Sequence, residues 1–452
     1  MDDLRAPDPG LLERLRPVPL DGNEVALLES GAEFFPSLLA AIDAATREVR
    51  LETYIFAGDE TGLRIAGALA RAAERGVDVR LMVDGYGTRA LPPGIAQRLA
   101  AAGVQVRVYA PMPRFVTLDR ERLRRLHRKQ ACVDARVAFV GGINVLDDLW
   151  DPNHGALDHP RLDYAVRVRG PVVAAVHASM VRLWRQAAVS PATLREGARE
   201  ALEGLGRLGP LGRPGPGGAA RGDGGDADDG GDGGDGGGGG EARAPAGAGA
   251  APPGTRGARK GVRAMLLLRD NLANRRAIER AYLKAIGGAR REVLIANAYF
   301  FPGRRFRRAL REAARRGVRV RLLLQGRAEY VLPHLAMRAL YDPLLHAGVE
   351  IVEYHRSFLH AKVAVVDDWA TVGSSNIDPF SLLLAREANV VVVDPRFAAT
   401  LRARVLASMA EGGRAVLHDE VARRPWTQRL WGWVATGMLR LGVAVSGHRH
   451  RY

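Results

Sequence analysis

The 452 residues include 47% hydrophobic residues, enough for a sizeable core, and contain no apolar run of about 18 residues that would predict a transmembrane helix. The single cysteine, Cys132, excludes a disulfide framework and a multi-cysteine zinc site. The formal net charge of +16 favours an anionic partner, either nucleic acid or an anionic lipid surface, and charge alone does not separate the two.

Residues 1–21 are predicted to form an N-terminal extension. Their start, MDDLRAPDPG, is acidic and proline-containing, whereas a secretory signal is basic and then apolar. We therefore expect the catalytic body to remain in the cytoplasm.

The first predicted domain covers residues 22–203 and alternates helical and strand patterns. A helix pattern, SLLAAIDAATREV, leads into the apolar strand VRLETYIF. A second helix, LRIAGALARAAERG, ends at a glycine and is followed by the strand VDVRLMVDG. This order predicts βαβ units, with helices on both faces of a sheet.

Residues 204–261 contain long runs of glycine, aspartate and proline and almost no large apolar residues. Such a segment cannot bury enough surface to offset the entropy of ordering, so we predict a disordered linker.

The second predicted domain, residues 262–424, repeats the first. RREVLIANAYFF and ARRGVRVRLLLQG follow the pattern of TREVRLETYIF and ERGVDVRLMVDG, and HAGVEIVEY follows that of AAGVQVRVY. The paired segments lie at a nearly constant offset. The sequence therefore predicts an internal duplication of a large α/β unit.

Each half carries a His-x-Lys-x₄-Asp motif followed by glycine and asparagine, LHRKQACVDARVAFVGGIN and LHAKVAVVDDWATVGSSN. In a strand, residues i and i+2 share one face, so each histidine projects together with its lysine. Imidazole is a nucleophile and proton carrier near neutral pH, and a lysine ammonium can hold a phosphate oxygen. This set suits attack on phosphorus rather than metal binding, and we predict neither a metal nor a cofactor.

Lysine usage makes the two motifs stand out. The chain has only four lysines among its 66 basic residues, and two of them, Lys129 and Lys362, fall in the motifs.

The paired motifs resemble the signature of the phospholipase D superfamily. The longer strings LETYIFAGDETG, RLDYAVRVRGP and NIDPFSLLLAREANV resemble bacterial cardiolipin synthases of the branch without N-terminal membrane helices. The resemblance implies two phospholipase D-like α/β/α halves packed about a pseudo-twofold axis, with one active site at their interface.

The resemblance also implies residue roles. One histidine forms a phosphatidyl-histidine and the other protonates the departing alcohol; we predict His127 as nucleophile and His360 as acid and base. The catalytic set is His127, Lys129, Asp134, His360, Lys362 and Asp367; Asn144, Asn376 and Ser374 are expected to bind substrate, and Asp163 and Glu387 to orient the histidines. Asp134 and Asp367 are expected to brace their hairpins rather than touch substrate.

The two motifs differ in two places. The second has one residue fewer between its aspartate and its glycine, and we place the difference in the turn near Asp368, since a slip within a strand would reverse its faces. The first has Gly142 where the second has Ser374, which predicts unequal contributions from the halves.

Residues 425–452 are predicted to form an amphipathic helix at the membrane interface, followed by a basic tail. On a helical wheel, an arc bordered by Trp431 holds Leu430, Val434, Met438, Leu441 and Val445, as in interfacial anchors. The alternative is a helix docked on the core.

The predicted function is transfer of a phosphatidyl group at the cytoplasmic face of the bacterial membrane. The family expectation is transfer between two phosphatidylglycerol molecules, and the sequence leaves phosphatidylethanolamine or free glycerol open as a partner in the reaction. The alternative is hydrolysis of phospholipid or, with a basic cleft, of nucleic acid. We favour an anionic phospholipid membrane as the partner over nucleic acid, because the aromatic content of 6% offers few stacking platforms. The oligomeric state stays open.

Overall fold

A computed structural model describes residues 15–111, 124–188, 261–270, 274–378 and 385–423, together with 425–426, 430–432 and 434–438. The predicted linker lies outside the described residues except for Gly261. Residues within 1–188 and 260–452 form one compact unit, which contains residues 22–188 of the first predicted domain and the whole of the second.

The first half alternates strands and helices in the predicted order. Its helices are α1 (Ser30–Asp43), α2 (Glu60–Glu74), α3 (Pro93–Ala101) and α4 (Val172–Ala188). Its strands are β1 (Leu20–Glu29), β2 (Glu48–Thr53), β3 (Asp78–Asp84), β4 (Gln105–Tyr109), β5 (Arg125–Leu126), β6 (Lys129–Val133), β7 (Val137–Gly141), β8 (Trp150–Asp151), β9 (Gly155–Ala156) and β10 (Tyr164–Arg169).

The second half repeats this arrangement. Its strands are β11 (Val262–Arg269), β12 (Glu292–Asn297), β13 (Arg319–Gln325), β14 (Glu350–Tyr354), β15 (Lys362–Val366), β16 (Trp369–Gly373), β17 (Ala385–Val393) and β18 (Gly413–Ala415). Its helices are α5 (Ala277–Gly288), α6 (Arg304–Arg315), α7 (Val331–Arg338), α8 (Tyr341–Leu345), α9 (Pro395–Gly412) and α10 (His418–Ala422).

The strand order shows that the halves are copies of one fold. The first half runs β1-β10-β7-β6-β2-β3-β4, and the second runs β11-β17-β16-β15-β12-β13-β14, with β18 added at its outer edge. β1 pairs with β11 antiparallel across an irregular register, so these fifteen strands form one sheet that extends outward from this join in two equivalent directions. β5 is the sixteenth strand of the sheet and pairs with β17. This arrangement confirms the predicted duplicated α/β fold with pseudo-twofold symmetry.

Local sequence explains where the helices end. Gly76 after α2 and Gly317 after α6 adopt φ angles of +85° and +86°, which favour glycine, and each turns the chain into the next parallel strand. Asp59 caps α2 by accepting from the amide of Gly62, and Asp394 caps α9 in the same way.

Three apolar clusters form the core. One lies within each half, between the sheet and its first helices. The third joins the halves, since it combines α4 and α9 with strand residues from both, such as Val166 and Val390. The interface between the halves is therefore part of the core, and Cys132 is buried in it.

The two motif hairpins differ in their turns. In the first, Val133 pairs with Val137 across three residues, and in the second Val366 pairs with Trp369 across two. The predicted position of the length difference is confirmed, and both hairpins keep their register.

The described part of the C-terminal segment lies on α7. Gly432 and Ala435 are buried, and Ala435 packs with Phe301, Ala336 and Leu340. Leu430, Trp431, Val434 and Met438 are exposed, so the described members of the predicted apolar arc point away from the body. Residues 427–429, 433 and 439–452 of the predicted helix lie outside the described residues.

Candidate active site

His127 is held between the halves. β5 pairs with the start of β17, and the His127 amide donates to the carbonyl of Arg386 at 3.1 Å. Its ring Nδ1 lies 2.9 Å from Oε1 of Glu387, which belongs to the other half. Because an ionised carboxylate only accepts hydrogen bonds, Nδ1 carries the proton and Nε2 keeps its lone pair for chemistry.

His360 has the reciprocal arrangement. Leu359 forms a bridge with Leu162 of the first half, and the His360 amide donates to the carbonyl of Leu162 at 2.8 Å. Nδ1 of His360 lies 2.6 Å from Oδ2 of Asp163. Each motif histidine is therefore oriented by a carboxylate of the opposite half, so neither half contains a complete site.

Glu387 is fully buried, and neighbouring groups compensate its negative charge. Arg269, itself fully buried, lies 3.3 Å from Oε1, and the Ser374 hydroxyl donates to Oε2. Burial alone would raise the pKa of the Glu387 carboxyl, but His127, Arg269 and Lys129 together hold that pKa below its usual value. Glu387 is thus ionised throughout the neutral pH range.

Asp163 has a weaker set of partners. Its carboxylate accepts from the amide of Tyr164 at 2.8 Å and lies 3.9 Å from the Lys362 ammonium. Burial raises the pKa of Asp163 to about 6, despite the opposing charges of Lys362 and Lys129. A Cβ on Gly142 would overlap this carboxylate, so glycine is required there for its close approach.

The motif lysines are buried among these groups. Each ammonium donates to the backbone carbonyl of the preceding motif histidine, at 2.6 Å for Lys129. Burial lowers the pKa of Lys129 to about 7 and that of Lys362 to about 8. Both ammonium charges act on both imidazoles, which shows that the two motifs share one electrostatic environment.

Burial acts against the charged form of both motif histidines. Burial lowers the pKa of His127, although Glu387 opposes the shift, and it lowers the pKa of His360 well below the usual value. Burial and the two lysines disfavour the imidazolium until a substrate phosphate supplies negative charge.

Asn144 and Asn376 follow the two hairpins and are nine-tenths buried or more. Asn144 accepts from the Ile55 amide through Oδ1, which leaves its NH₂ group as a donor. Oδ1 of Asn376 has no partner among the described residues. Ser374 was predicted to bind substrate, but its hydroxyl donates to Glu387, so the structure places it behind the histidine rather than on the substrate side.

Asp134 and Asp367 occupy the hairpin turns with φ angles of +52° and +51°. The Asp134 carboxylate accepts from the amides of Thr46, Arg47 and Glu48. Asp367 accepts in the same way from Arg290, Arg291 and Glu292. Each carboxylate therefore fastens its turn to the start of a neighbouring strand, away from the histidines.

Two features of the site were not predicted. Arg269 ends β11 opposite Glu387, and one arginine among dozens gives no signal without the pairing of β11 with β17. The other is a cavity of about 200 Å³ in the second half. Its lining comprises Ala298, Tyr299, Phe300, Phe301, Gln325, Arg327, Glu329, Tyr330, Pro333, His334, Met337, Asn376 and Asp378.

Potential metal ligands lie elsewhere. Within the part of the chain that the structure describes, one cluster of three such side chains occurs, formed by Asp342 on α8, His346 at the C-cap of α8 and His418 on α10. It is separate from the motif strands. None of the described helices is long and apolar enough to cross a bilayer.

The chain matches the family model described as cardiolipin synthase, PLD-like domain, over residues 38–157 and 282–407. It is 38% identical to cardiolipin synthase B of Escherichia coli over 431 residues, which cover 94% of this chain and 90% of that protein. It is 26% identical to the major cardiolipin synthase of Bacillus subtilis, over 93% of this chain and 75% of that protein.

A phosphatidylserine synthase of Haemophilus influenzae has the same fold, with a TM-score of 0.61, 13% identity and coverage of 96% of this chain and 98% of that one. The family match, the identity over most of both chains and the duplicated motifs agree with one another. The chain belongs to the cardiolipin synthase family of phospholipase D-like phosphatidyltransferases.

Proposed function

We propose that this protein joins two phosphatidylglycerol molecules into cardiolipin and releases glycerol. The observation that carries the proposal is the reciprocal pairing of His127 with Glu387 and of His360 with Asp163. Two imidazoles with oriented Nδ1–H groups in one buried site provide a nucleophile and an acid–base partner.

In the first step, Nε2 of one histidine attacks the phosphorus of the donor lipid. The phosphorus–oxygen bond to the glycerol headgroup breaks, and the departing oxygen takes the Nε2 proton of the second histidine, which is an imidazolium once the substrate phosphate is bound. In the second step that histidine removes a proton from an acceptor hydroxyl. The hydroxyl oxygen attacks phosphorus, the phosphorus–nitrogen bond breaks, and the first histidine is regenerated.

We assign the nucleophile to His127. A phosphorylated imidazole that keeps its Nδ1–H is cationic and a good leaving group, so its carboxylate partner must stay ionised. Glu387 meets this requirement because Arg269 and Ser374 both stabilise its negative charge. Asp163 has no fully buried arginine as partner among the described residues, and His360 then acts as acid and base.

The remaining predicted residues bind the phosphoryl oxygens. Lys129 and Lys362 supply positive charge in a buried site, where the interaction with phosphate is stronger than in water. The NH₂ groups of Asn144 and Asn376 are the neutral donors. Asp134 and Asp367 keep the motif hairpins in place and do not contact substrate.

The C-terminal segment is proposed as the contact with the membrane. Trp426, Trp431 and Met438 are 74%, 63% and 56% exposed, which places large apolar side chains in solvent on one short stretch. Insertion of these side chains into the interface of an anionic leaflet removes that apolar surface from water. We assign the protein to the cytoplasmic face as a peripheral protein.

The test is incubation of the purified protein with phosphatidylglycerol vesicles, with lipid analysis by mass spectrometry and His127→Ala as control. We expect cardiolipin and glycerol from the wild type alone. Phosphatidic acid without cardiolipin would contradict transfer and identify a hydrolase. Vesicle sedimentation of Trp431→Ala, compared with wild type, tests the membrane contact, and unchanged binding would remove the segment from that role.

A further inference from the structure

The cavity of the second half adjoins His360. Gln325 accepts from the amide of Leu359 at 3.1 Å, and Ala298 donates to the carbonyl of Ala361 at 3.0 Å. Both lining residues are thus bonded to the immediate neighbours of His360. Asn376 of the same half also lines the cavity, so the cavity lies beside the segment that carries His360, although His360 itself is not part of its lining.

The size of the cavity suits a small group better than a fatty acyl chain. An engineered cavity of about 150 Å³ binds benzene, which has six non-hydrogen atoms. A volume of about 200 Å³ therefore suits a group of about six to nine such atoms. Glycerol falls in this range, whereas a long acyl chain is much larger.

The polar groups of the cavity offer acceptors. Tyr299 donates its hydroxyl hydrogen to Oε2 of Glu329, which leaves Oε1 and the phenolic oxygen able to accept. Oδ1 of Asn376 is buried and has no partner among the described residues. An occupant that donates several hydrogen bonds would satisfy all three.

The remaining side chains that line the cavity are apolar or charged. Phe300, Phe301 and Met337 form an apolar wall suited to the carbon face of a small polyol. The Arg327 guanidinium lines the same cavity, held by the carbonyls of His355 and Arg356. The Glu329 and Asp378 carboxylates line the same cavity and offset this charge.

We propose that this cavity is the alcohol subsite, in which Glu329 and Tyr299 hold the glycerol moiety that leaves the donor and then the one that attacks. The inference depends on the proposed function, because departure and attack occur on the side of His360, opposite His127. Recognition of the second hydroxyl by Glu329 makes the subsite select vicinal diols over simple alcohols and water.

The test measures how the phosphatidyl group is divided among glycerol, 1-propanol, a second phosphatidylglycerol and water. Phosphatidylglycerol vesicles are incubated with equal concentrations of deuterated glycerol and 1-propanol, and the ratio of the two exchanged lipids, with cardiolipin and phosphatidic acid, is measured by mass spectrometry. This ratio does not depend on how fast the intermediate forms. We expect Glu329→Gln to lower the glycerol-to-propanol ratio about tenfold, since a hydrogen bond to a charged group is lost.

Tyr299→Phe should shift the ratio in the same direction by a smaller factor. Glu312→Gln, an exposed change on α6, is the matched control and should leave it at the wild-type value. If exchange into glycerol and cardiolipin formation both fall relative to phosphatidic acid formation, the subsite recognises the glycerol group that free glycerol and phosphatidylglycerol share. Loss of cardiolipin alone supports the lipid headgroup as the occupant.

A ratio within about twofold of wild type in Glu329→Gln, with transfer intact, would overturn the alcohol subsite and leave the proposed function standing. Absence of any transfer product from wild-type protein would overturn the proposed function itself. The two failures are therefore distinguishable.

Discussion

The two halves share a strand order, yet they hold their histidines with different chemistry. His127 faces a glutamate fixed by Arg269 and Ser374, whereas His360 faces an aspartate whose pKa burial raises to about 6. A duplicated fold thus supplies two imidazoles of similar geometry and unequal electrostatics. Unequal partners suit a two-step reaction, in which one imidazole must become a cationic leaving group and the other must exchange protons.

The largest expected effect separates the two histidines. His127→Ala should abolish transfer with every donor, because no covalent intermediate forms. His360→Ala should lower the rate of transfer from phosphatidylglycerol about 10²–10⁴-fold, since general acid catalysis is removed. With a phosphatidyl-p-nitrophenol donor, whose leaving group needs no proton, His360→Ala should still release a burst of nitrophenol. A burst from His127→Ala instead would reverse our assignment.

The next effect compares the two carboxylates. Glu387→Gln should lower kcat by about 10³–10⁴-fold, as expected when an orienting carboxylate loses its charge. Asp163→Asn should lower kcat by a smaller factor. The reason is that Glu387 stabilises the cation of the intermediate, whereas Asp163 supports a proton transfer. Steady-state kinetics on phosphatidylglycerol vesicles provide the measurement, with circular dichroism as the control for folding. Equal losses would argue against unequal roles.

A smaller effect concerns the lysines. Because burial lowers the pKa of Lys129 to about 7 and that of Lys362 to about 8, both ammonium groups lose their protons as pH rises through this window. We expect kcat/KM to fall as pH rises from about 7 to about 9, by about tenfold per unit once one required proton is lost. A profile that stays flat across this window would show that both lysines remain charged.

The smallest effect on activity is expected at the hairpin turns. The amides of Thr46, Arg47 and Glu48 hold the pKa of Asp134 at about 2 against the effect of burial. The ionised Asp134 carboxylate therefore stabilises the fold fully above its pKa in the unfolded chain, and this stabilisation is lost as pH falls through about 2. Asp134→Asn should lower the free energy of unfolding by about 1–3 kcal/mol and leave kcat nearly unchanged. Denaturant unfolding measures the free energy, and steady-state kinetics measure kcat. Asp367→Asn should give the same two results.

Much of this protein was predictable because its signals are local. The helix and strand periods, the glycines after α2 and α6 and the two complete motifs each lie within a few residues of sequence. Duplication made the motifs specific, since the two lysines fell at corresponding places in a lysine-poor chain. The turn that absorbs the length difference was also predictable, because a strand cannot change register without reversing its faces.

The exchange of carboxylates between halves was not predictable. Glu387 lies 260 residues from His127, and the chain between them gives no indication of which histidine it orients. Ser374 looked like a substrate contact because it follows a motif glycine, but the pairing of β16 with β17 directs its hydroxyl to Glu387. Arg269 and the cavity with Glu329 became visible only once distant strands lay side by side.

The sequence by itself determined the α/β class, the duplication, the motif residues and the family, because these depend on residue types at short spacing. Only the tertiary structure decided which carboxylate meets which histidine, which charges are compensated and where a headgroup-sized space remains. Those properties arise from burial and from contacts between residues far apart in the chain. Desolvation then sets the pKa values that make the two halves unequal.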